Sequence, residues 1–137
     1  MTIQPYLFFE GRAEEAANFY VAALGAQIEM LMRNAESPDK PPEGMLPPGS
    51  ENKIMHMSLK IGDATIMGSD GRCSGTPEFK GVTLSISASD AAEAERIFTA
   101  LAQGGQVQMP LTTTFFSPKF GMVADKFGVS WMVIVPA

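Results

Sequence analysis

The clearest pattern in the sequence is an alternation of apolar and mixed side chains over residues 53–61. Every second residue from Met55 to Ile61 is apolar. Successive side chains of a strand point to opposite faces of a sheet, so the alternation predicts a strand with one apolar face. The positions of its other face are Ile54, His56, Ser58 and Lys60. The Gly62-Asp63 pair predicts a two-residue hairpin turn, with residues 64–69 as the returning strand.

Two segments have apolar residues spaced three and four apart, which indicates helices with one buried face. The first spans residues 12–24 and stops at Gly25. The second opens at Asp90, an acidic cap followed three residues later by Glu93, and ends at Gly104-Gly105. The apolar positions are Ala13, Ala16, Ala17, Tyr20, Ala23 and Leu24 in the first helix and Ala94, Ile97, Phe98 and Leu101 in the second.

Short apolar or alternating runs predict the remaining strands. They cover residues 3–10, 27–33, 82–87, 106–114, 122–125 and 129–135. The order strand, helix, three strands therefore occurs twice, at an offset of about 80 residues. This repeat predicts an α+β fold, with one domain over residues 1–137 made of two tandem β-α-β-β-β modules at about 1–70 and about 79–137. Four strands and one helix leave one sheet face uncovered, so we expect the two modules to share a core.

Two segments are predicted to be loops. Residues 34–52 show no periodicity, and five of the ten prolines lie there: Pro38, Pro41, Pro42, Pro47 and Pro48. Loops of this length tend to cover binding sites or to be mobile linkers, so a lid over a pocket and a solvated insertion are both open. The aromatic run at residues 115–120 is typical of a lid or an interface.

Composition and charge narrow the range of partners. Hydrophobic residues make up 45% of the 137 residues, enough to bury a core. Ten Lys and Arg against fifteen Asp and Glu give a net charge of −5, the wrong sign for nucleic acid or anionic membranes. No run reaches the ~18 apolar residues of a membrane span and the start has no signal-peptide pattern, so we expect a cytoplasmic protein.

Cys73 is the single cysteine. It excludes an internal disulfide and any multi-cysteine metal site, and a free thiol suits a reducing compartment. Because it lies between Gly71 and Gly75 with no His beside it, an incidental thiol is favoured over a nucleophile.

Several segments together resemble the PhnB-like family over essentially the whole chain. They are Pro-Tyr-Leu-Phe-Phe at 5–9, Ala-Glu-Glu-Ala-Ala-Asn-Phe-Tyr at 13–20 with Leu-Gly-Ala at 24–26, Ile-Met-His-Met-Ser-Leu at 54–59 with Met-Gly-Ser-Asp at 67–70, and the segment 120–131. That family is part of the glyoxalase, bleomycin resistance and extradiol dioxygenase group, the vicinal oxygen chelate superfamily, and some members carry a 3-demethylubiquinone methyltransferase-like label. The resemblance implies curved mixed sheets around a small-molecule cavity, and homodimers that sometimes exchange modules.

The resemblance also implies where a metal would bind. Metal-using relatives hold a divalent ion through His and Glu at equivalent points of the first and fourth strands of each module. Here those positions fall at Gln4 (or at Pro5 or Tyr6 in another register), Met67, Thr83 and Met132. Amide, thioether and hydroxyl groups are poor ligands for zinc, nickel or magnesium, so we expect no metal and no other cofactor. A substitute site at His56 with Asp70, Glu10 or Asp125, or with a second subunit, stays open.

Side chains alternate between the two faces of a strand, and we assign the faces that carry both apolar and polar side chains to the cavity. The predicted ligand-binding residues are Gln4, Tyr6, Phe8, Ser58, Met67, Asp70, Thr83, Ser85 and Met132, with Ser130 as a further wall position. His56 is the candidate catalytic residue, because an imidazole can accept or donate a proton near neutral pH, with a structural histidine as the alternative. Asp70 and Asp125 also fit turn residues. The ten methionines and Trp131 favour core packing over a ligand wall.

Two classes of function remain. A protein that sequesters an aromatic or amphipathic small molecule is favoured, because binding needs no electrophile to replace the missing metal. The alternative is a glyoxalase-like lyase or isomerase in which His56 moves a proton on a small carbonyl substrate, so whether the chain is an enzyme stays open. A methyltransferase function rests on the family label alone, since the sequence contains no Gly-rich cofactor loop.

Overall fold

The chain folds into two compact units with the same order of elements. The computed structural model describes residues 1–40, 42 and 44–137, and the units are Met1–Pro77 and Glu78–Ala137, here module one and module two. Module one contains β1 (Tyr6–Phe8), α1 (Ala13–Leu24), β2 (Gln27–Arg33), a 3-10 turn (Asn34–Glu36), β3 (Ile54–Ile61) and β4 (Ala64–Ser69). Module two contains β5 (Leu84–Ser87), α2 (Ala91–Leu101), β6 (Gln106–Thr112), β7 (Lys119–Ala124) and β8 (Ser130–Val135). The predicted α+β fold of two β-α-β-β-β modules is confirmed.

Each module builds one four-stranded mixed sheet. The strand order is β1-β4-β3-β2 in module one and β5-β8-β7-β6 in module two. In both, the first strand pairs parallel with the last and the other pairs are antiparallel. The internal repeat extends to an irregularity: the register shifts between Ile28 and Met30 in β2 and between Val107 and Met109 in β6.

In module one, α1 packs on one face of the sheet. Ala16, Ala17 and Tyr20 of α1 are fully buried, as are Met57 and Leu59 of β3. Small alanine side chains on the buried stripe let the helix approach the sheet closely. The other face of this sheet is consequently not covered by the module's own helix.

In module two, α2 begins with the predicted cap. The Asp90 carboxylate accepts from the Glu93 N–H at 2.8 Å, and the Glu93 carboxylate accepts from the Ser89 N–H at 3.1 Å. The helix covers a core that includes Val123 and Trp131, so the prediction that Trp131 is a core residue is confirmed. Among the described residues, no helix is long and apolar enough to cross a membrane.

Two strand predictions in module one are wrong. β1 is confined to Tyr6–Phe8, instead of residues 3–10; after its C-terminal end the backbone turns at Glu10 and Gly11, which have φ of +52° and +115°. The alternation predicted for residues 53–61 fails at its start, where Ile54 is buried and Met55 is 36% exposed. A register shift opposite this point, between Met32 and Arg33 of β2, explains the change of face.

In module two, β7 begins at Lys119 rather than at residue 122. The extension pairs Lys119 with Val135 and Phe120 with Ile134. The Ser117 hydroxyl lies 2.6 Å from the Val135 carbonyl oxygen and is buried, which ties the preceding loop to β8. The predicted aromatic loop therefore ends before Phe120.

Core packing is the wrong interpretation for most of the methionines. All ten lie among the described residues, and only Met57 is buried. Cross-strand pairing places many of the others on the sheet faces opposite the helices. These are Met30, Met32, Met67, Met109, Met122 and Met132.

The segment predicted as a long loop is irregular after its 3-10 turn. Pro41, one of its five prolines, lies outside the described residues. Described parts of the segment line a cavity of about 420 Å³, which includes Asn34, Lys40, Leu46 and Ser50. A lid and a solvated insertion both stay predictions for this segment.

Buried Asp125 holds the turn between β7 and β8. Its Oδ1 accepts from the N–H groups of Phe127 and Val129 at 2.9 and 3.1 Å. Its Oδ2 accepts from the Trp131 indole at 2.8 Å. With the residue only 3% exposed, these bonds form away from water, which supports the turn interpretation.

We expect Asp125→Asn to lower the free energy of unfolding by about 1–3 kcal/mol, because an amide nitrogen would then face an N–H donor. Urea denaturation followed by circular dichroism measures the loss. Trp131→Phe removes the indole donor, so the same Asn substitution should cost less in that background. An equal cost in both backgrounds would contradict the assigned role of the indole bond.

Candidate functional site

The sheet face of module one that α1 leaves uncovered carries many of the predicted site residues. Cross-strand pairs place Tyr6, Met67, Ser58 and Met30 in one row across β1, β4, β3 and β2. Two residues along the strands from this row, Phe8 pairs with Ser69, and His56 pairs with Met32. We call this surface, formed by Tyr6, Phe8, Met30, Met32, His56, Ser58, Met67 and Ser69, the open face of module one.

An aromatic cluster stands on this face. The Tyr6 hydroxyl lies 3.0 Å from His56 Nδ1, and the two rings are 5.5 Å apart and inclined by 30°. The Phe8 ring lies 5.1 Å from that of Tyr6. Tyr6 is 36% and Phe8 53% exposed, so the cluster offers ring surface to a ligand.

Sheet geometry explains how Tyr6 and His56 meet. They lie on β1 and β3, with β4 between them, so their backbones are roughly 10 Å apart. Only long side chains that lean toward each other can close this distance. Ser69 of β4, which pairs with Phe8, has a small side chain and lies on a strand between β1 and β3.

Module two has a corresponding open face with different chemistry. Ser85, Met132, Met122 and Met109 form the row across β5, β8, β7 and β6. The Thr83 hydroxyl is 3.1 Å from that of Ser130, which lies 3.4 Å from Gln108 Oε1. The paired residues of this face therefore supply hydroxyls and thioethers.

The implied metal positions Gln4 and Thr83 lie two residues before the residues that pair with Met67 and Met132. Gln4 and Thr83 precede the first strands of their modules, and the residue paired with Met67 is Tyr6, while the one paired with Met132 is Ser85. The donors at the paired positions are a phenol, a hydroxyl and two thioethers, and Gln4 and Thr83 add an amide and a second hydroxyl. This set does not fit zinc, nickel or magnesium. Among the described residues, no group of three or more His, Cys, Asp or Glu side chains could hold a metal ion.

Asp70 lies at the end of β4 and is 1% exposed. Its Oδ1 accepts from the N–H groups of Gly11 and Ala13 at 3.0 and 2.7 Å, and its Oδ2 accepts from the Ile54 N–H at 2.7 Å. The carboxylate thus caps the start of α1 and holds the first residue of β3. This arrangement favours the turn and cap interpretation, and a ligand contact by Asp70 stays a prediction.

The structure adds residues that sequence reasoning assigned elsewhere. Met30 and Met32 join the open face of module one, and Met122 that of module two. Alternation on their strands could have indicated them, but apolar thioethers also fit a core. Tyr6, Phe8, His56, Ser58 and Met67 are brought together on one face.

Comparison with known proteins identifies the family. Residues 1–134 match the family model described as 3-demethylubiquinone-9 3-methyltransferase. A solved PhnB protein from Bacillus cereus, whose description names the same methyltransferase, is 31% identical with a TM-score of 0.80, over 98% of this chain and 99% of that one. The chain belongs to this PhnB-like family.

Further PhnB-like relatives match over nearly their full lengths. Protein YjdN of Escherichia coli strain K12 is 35% identical over 142 residues, covering 98% of this chain and 95% of YjdN. Protein PA1353 from Pseudomonas aeruginosa is 39% identical with a TM-score of 0.85, covering 99% of this chain and 98% of that structure.

More distant structures share the fold. The fosfomycin resistance protein FosX from Mesorhizobium loti is 10% identical with a TM-score of 0.66, over 100% of this chain and 92% of FosX. A glyoxalase-related enzyme from Fulvimarina pelagi is 16% identical with a TM-score of 0.60, over 98% and 87% of the two chains. The PhnB-like chain therefore has the fold of the vicinal oxygen chelate superfamily, as the resemblance implied.

Asp70→Asn tests the cap interpretation. We expect it to lower the free energy of unfolding by about 1–3 kcal/mol, because one of the backbone N–H donors loses its acceptor. Asp39→Asn, at an exposed position, is the matched control and should leave the midpoint of thermal unfolding nearly unchanged. Equal midpoints for the two variants would refute the structural role.

Cys73 should react slowly with thiol reagents. Burial raises the pKa of its thiol, a hydrogen bond with Ser50 opposes the rise, and the Asp70 charge adds to it. Since the thiolate is the reactive form, the rate with a disulfide reagent at pH 7.5 should be below that of glutathione and should increase with pH. Unfolding the chain in urea should restore an ordinary rate; a folded-state rate as fast as glutathione's would contradict the expectation.

Proposed function

We propose that this PhnB-like protein binds a small molecule on its open sheet faces. In module one the binding residues are Tyr6, Phe8, Ser58 and Met67, beside His56. The observation that carries the proposal is the partly exposed cluster of Tyr6, Phe8 and His56, which combines ring surface with hydrogen-bonding groups. Pockets for small ligands share this composition of apolar walls and few polar groups. In module two we assign Thr83, Ser85 and Met132 the same role, and Gln4 and Asp70 complete the proposed set.

Binding in this proposal needs no metal of the superfamily's usual kind. The implied positions carry an amide, a hydroxyl and two thioethers, and the residues paired with the two methionines are Tyr6 and Ser85. Without a Lewis acid, a developing oxyanion on a carbonyl substrate loses its strongest stabiliser. Sequestration of the ligand is therefore the function that these residues support best.

The second candidate is a glyoxalase-like lyase or isomerase. Its support is the hydrogen bond between Tyr6 and His56, because an imidazole held by a phenol is a suitable group for moving a proton. In this alternative His56 is the catalytic residue and the substrate is a small carbonyl compound. The open face would then orient the substrate against the imidazole.

We also propose that the protein is a cytoplasmic homodimer without nucleic-acid or membrane partners. The net charge of −5 opposes binding to phosphate backbones and anionic lipid. The single free thiol suits a reducing compartment.

Native mass spectrometry of the purified protein, followed by a thermal-shift screen of aromatic and carbonyl fragments, tests these proposals. We expect twice the chain mass and a stabilising fragment whose affinity falls about tenfold in a Phe8→Ala, His56→Ala variant, because ring contact and a hydrogen bond are both lost. Phe115→Ala removes a fully exposed ring in module two and should leave the affinity unchanged.

The same variants separate the two candidate functions. If His56→Ala keeps ligand binding but abolishes turnover of a carbonyl fragment, the lyase or isomerase is correct. If wild-type protein binds fragments without turning any over, sequestration is correct. Equal affinity of the Phe8→Ala, His56→Ala variant and wild type would refute the binding site on module one.

A further inference from the structure

The hydrogen bond between Tyr6 and His56 determines which imidazole nitrogen carries the proton. Because a phenol is a much stronger acid than a neutral imidazole N–H, we assign the Tyr6 hydroxyl as the donor and His56 Nδ1 as the acceptor in the 3.0 Å contact. A neutral imidazole has one donor and one acceptor nitrogen. Nε2 of His56 therefore carries the hydrogen, and within module one no hydrogen-bond partner of Nε2 is found among the described residues.

We infer that the ligand of the open face of module one is a planar, conjugated molecule with an oxygen acceptor. The inference rests on the proposed function, namely that this face binds a small molecule, and it names the ligand's chemical class. In it, the Nε2–H of His56 donates to the ligand oxygen. Tyr6 acts as a positioning residue that fixes the tautomer.

The ring arrangement favours a flat ligand. Phe8 and Tyr6 lie 5.1 Å apart, and both remain partly exposed. Two thioethers lie on the same face: Met67 of β4, which pairs with Tyr6, and Met32 of β2, which pairs with His56. Aromatic rings and polarisable sulfur both gain most from contact with a π-system.

Charge on this face favours an oxygen acceptor over a cation. Lys60 lies on the same side of β3 as Ser58 and His56, paired with Thr65. The paired residues of the described strands place no carboxylate there. A cationic ligand would meet the Lys60 ammonium and the His56 N–H donor, and none of the paired residues on this face supplies an opposing charge.

Three probes separate the two features of the proposed ligand class. Coumarin is planar and carries a conjugated carbonyl, octahydrocoumarin keeps the carbonyl in a saturated frame, and 2H-chromene keeps the unsaturated rings without the carbonyl. Removing the carbonyl should weaken binding roughly fivefold and removing planarity about tenfold.

His56 reports binding directly, because it is the only histidine in the sequence. In long-range ¹H–¹⁵N spectra at pH 8.5, where an ordinary imidazole is neutral, wild type should show a protonated Nε2 and an unprotonated Nδ1. Coumarin should shift the Nε2 signal saturably. In Tyr6→Phe the two nitrogen signals should move toward each other as the tautomers mix, with about twofold weaker coumarin binding.

Two variants complete the test. Tyr20→Phe removes the other tyrosine hydroxyl of the chain, which lies on the buried face of α1. This variant should leave the His56 nitrogen signals unchanged. His56→Phe removes the donor and keeps a ring, so it should bind coumarin and 2H-chromene equally well.

The possible failures are distinguishable. Equal binding of octahydrocoumarin and coumarin to wild type, or an unprotonated Nε2, overturns the ligand class while the proposed binding site survives. No shift of any open-face signal with coumarin also overturns the ligand class, and the fragment screen then decides separately whether the face binds small molecules.

Discussion

A single helix can cover only one face of a four-stranded sheet, and the organisation of this chain depends on that constraint. In each module the small or apolar stripe of the helix buries one set of alternating strand residues. The other set stays on a face that the helix does not reach. Side chains on that face do not have to pack against the helix, so polar and reactive groups can occupy it. One face of β3 therefore holds Met57 and Leu59, while the other holds His56 and Ser58.

The sheet also fixes the relative positions of the residues in the candidate site. Tyr6 and His56 belong to strands on either side of β4, and the backbone hydrogen bonds of β4 hold both at fixed separation and register. Asp70 secures the same region from the end of β4, since its carboxylate binds backbone groups before α1 and at the start of β3. The site residues therefore rest on rigid strands, whereas the proline-rich segment after β2 contributes a cavity of its own.

The duplicated modules have diverged in the chemistry of their open faces. Both repeat the strand order and the register shift in the second strand, yet one presents a phenol, an imidazole and three methionines where the other presents hydroxyls and three methionines. The two modules share one fold although their open faces differ in chemistry, so different residues determine the architecture and the chemistry. Function then depends on the residues of the open faces.

Local sequence was enough to predict the module order, both ends of α1, the start of α2, the hairpin at Gly62 and the mixed face that carries His56. These features follow from local periodicity and turn chemistry, which neighbouring residues decide. Three features depend on how the strands pair: Met30 and Met32 lie on the open face, Ile54 and Met55 exchange faces, and Tyr6 contacts His56. A methionine fits a core and an open surface equally well, a register shift moves side chains to the other face, and a contact between residues 50 positions apart exists only once β4 lies between their strands.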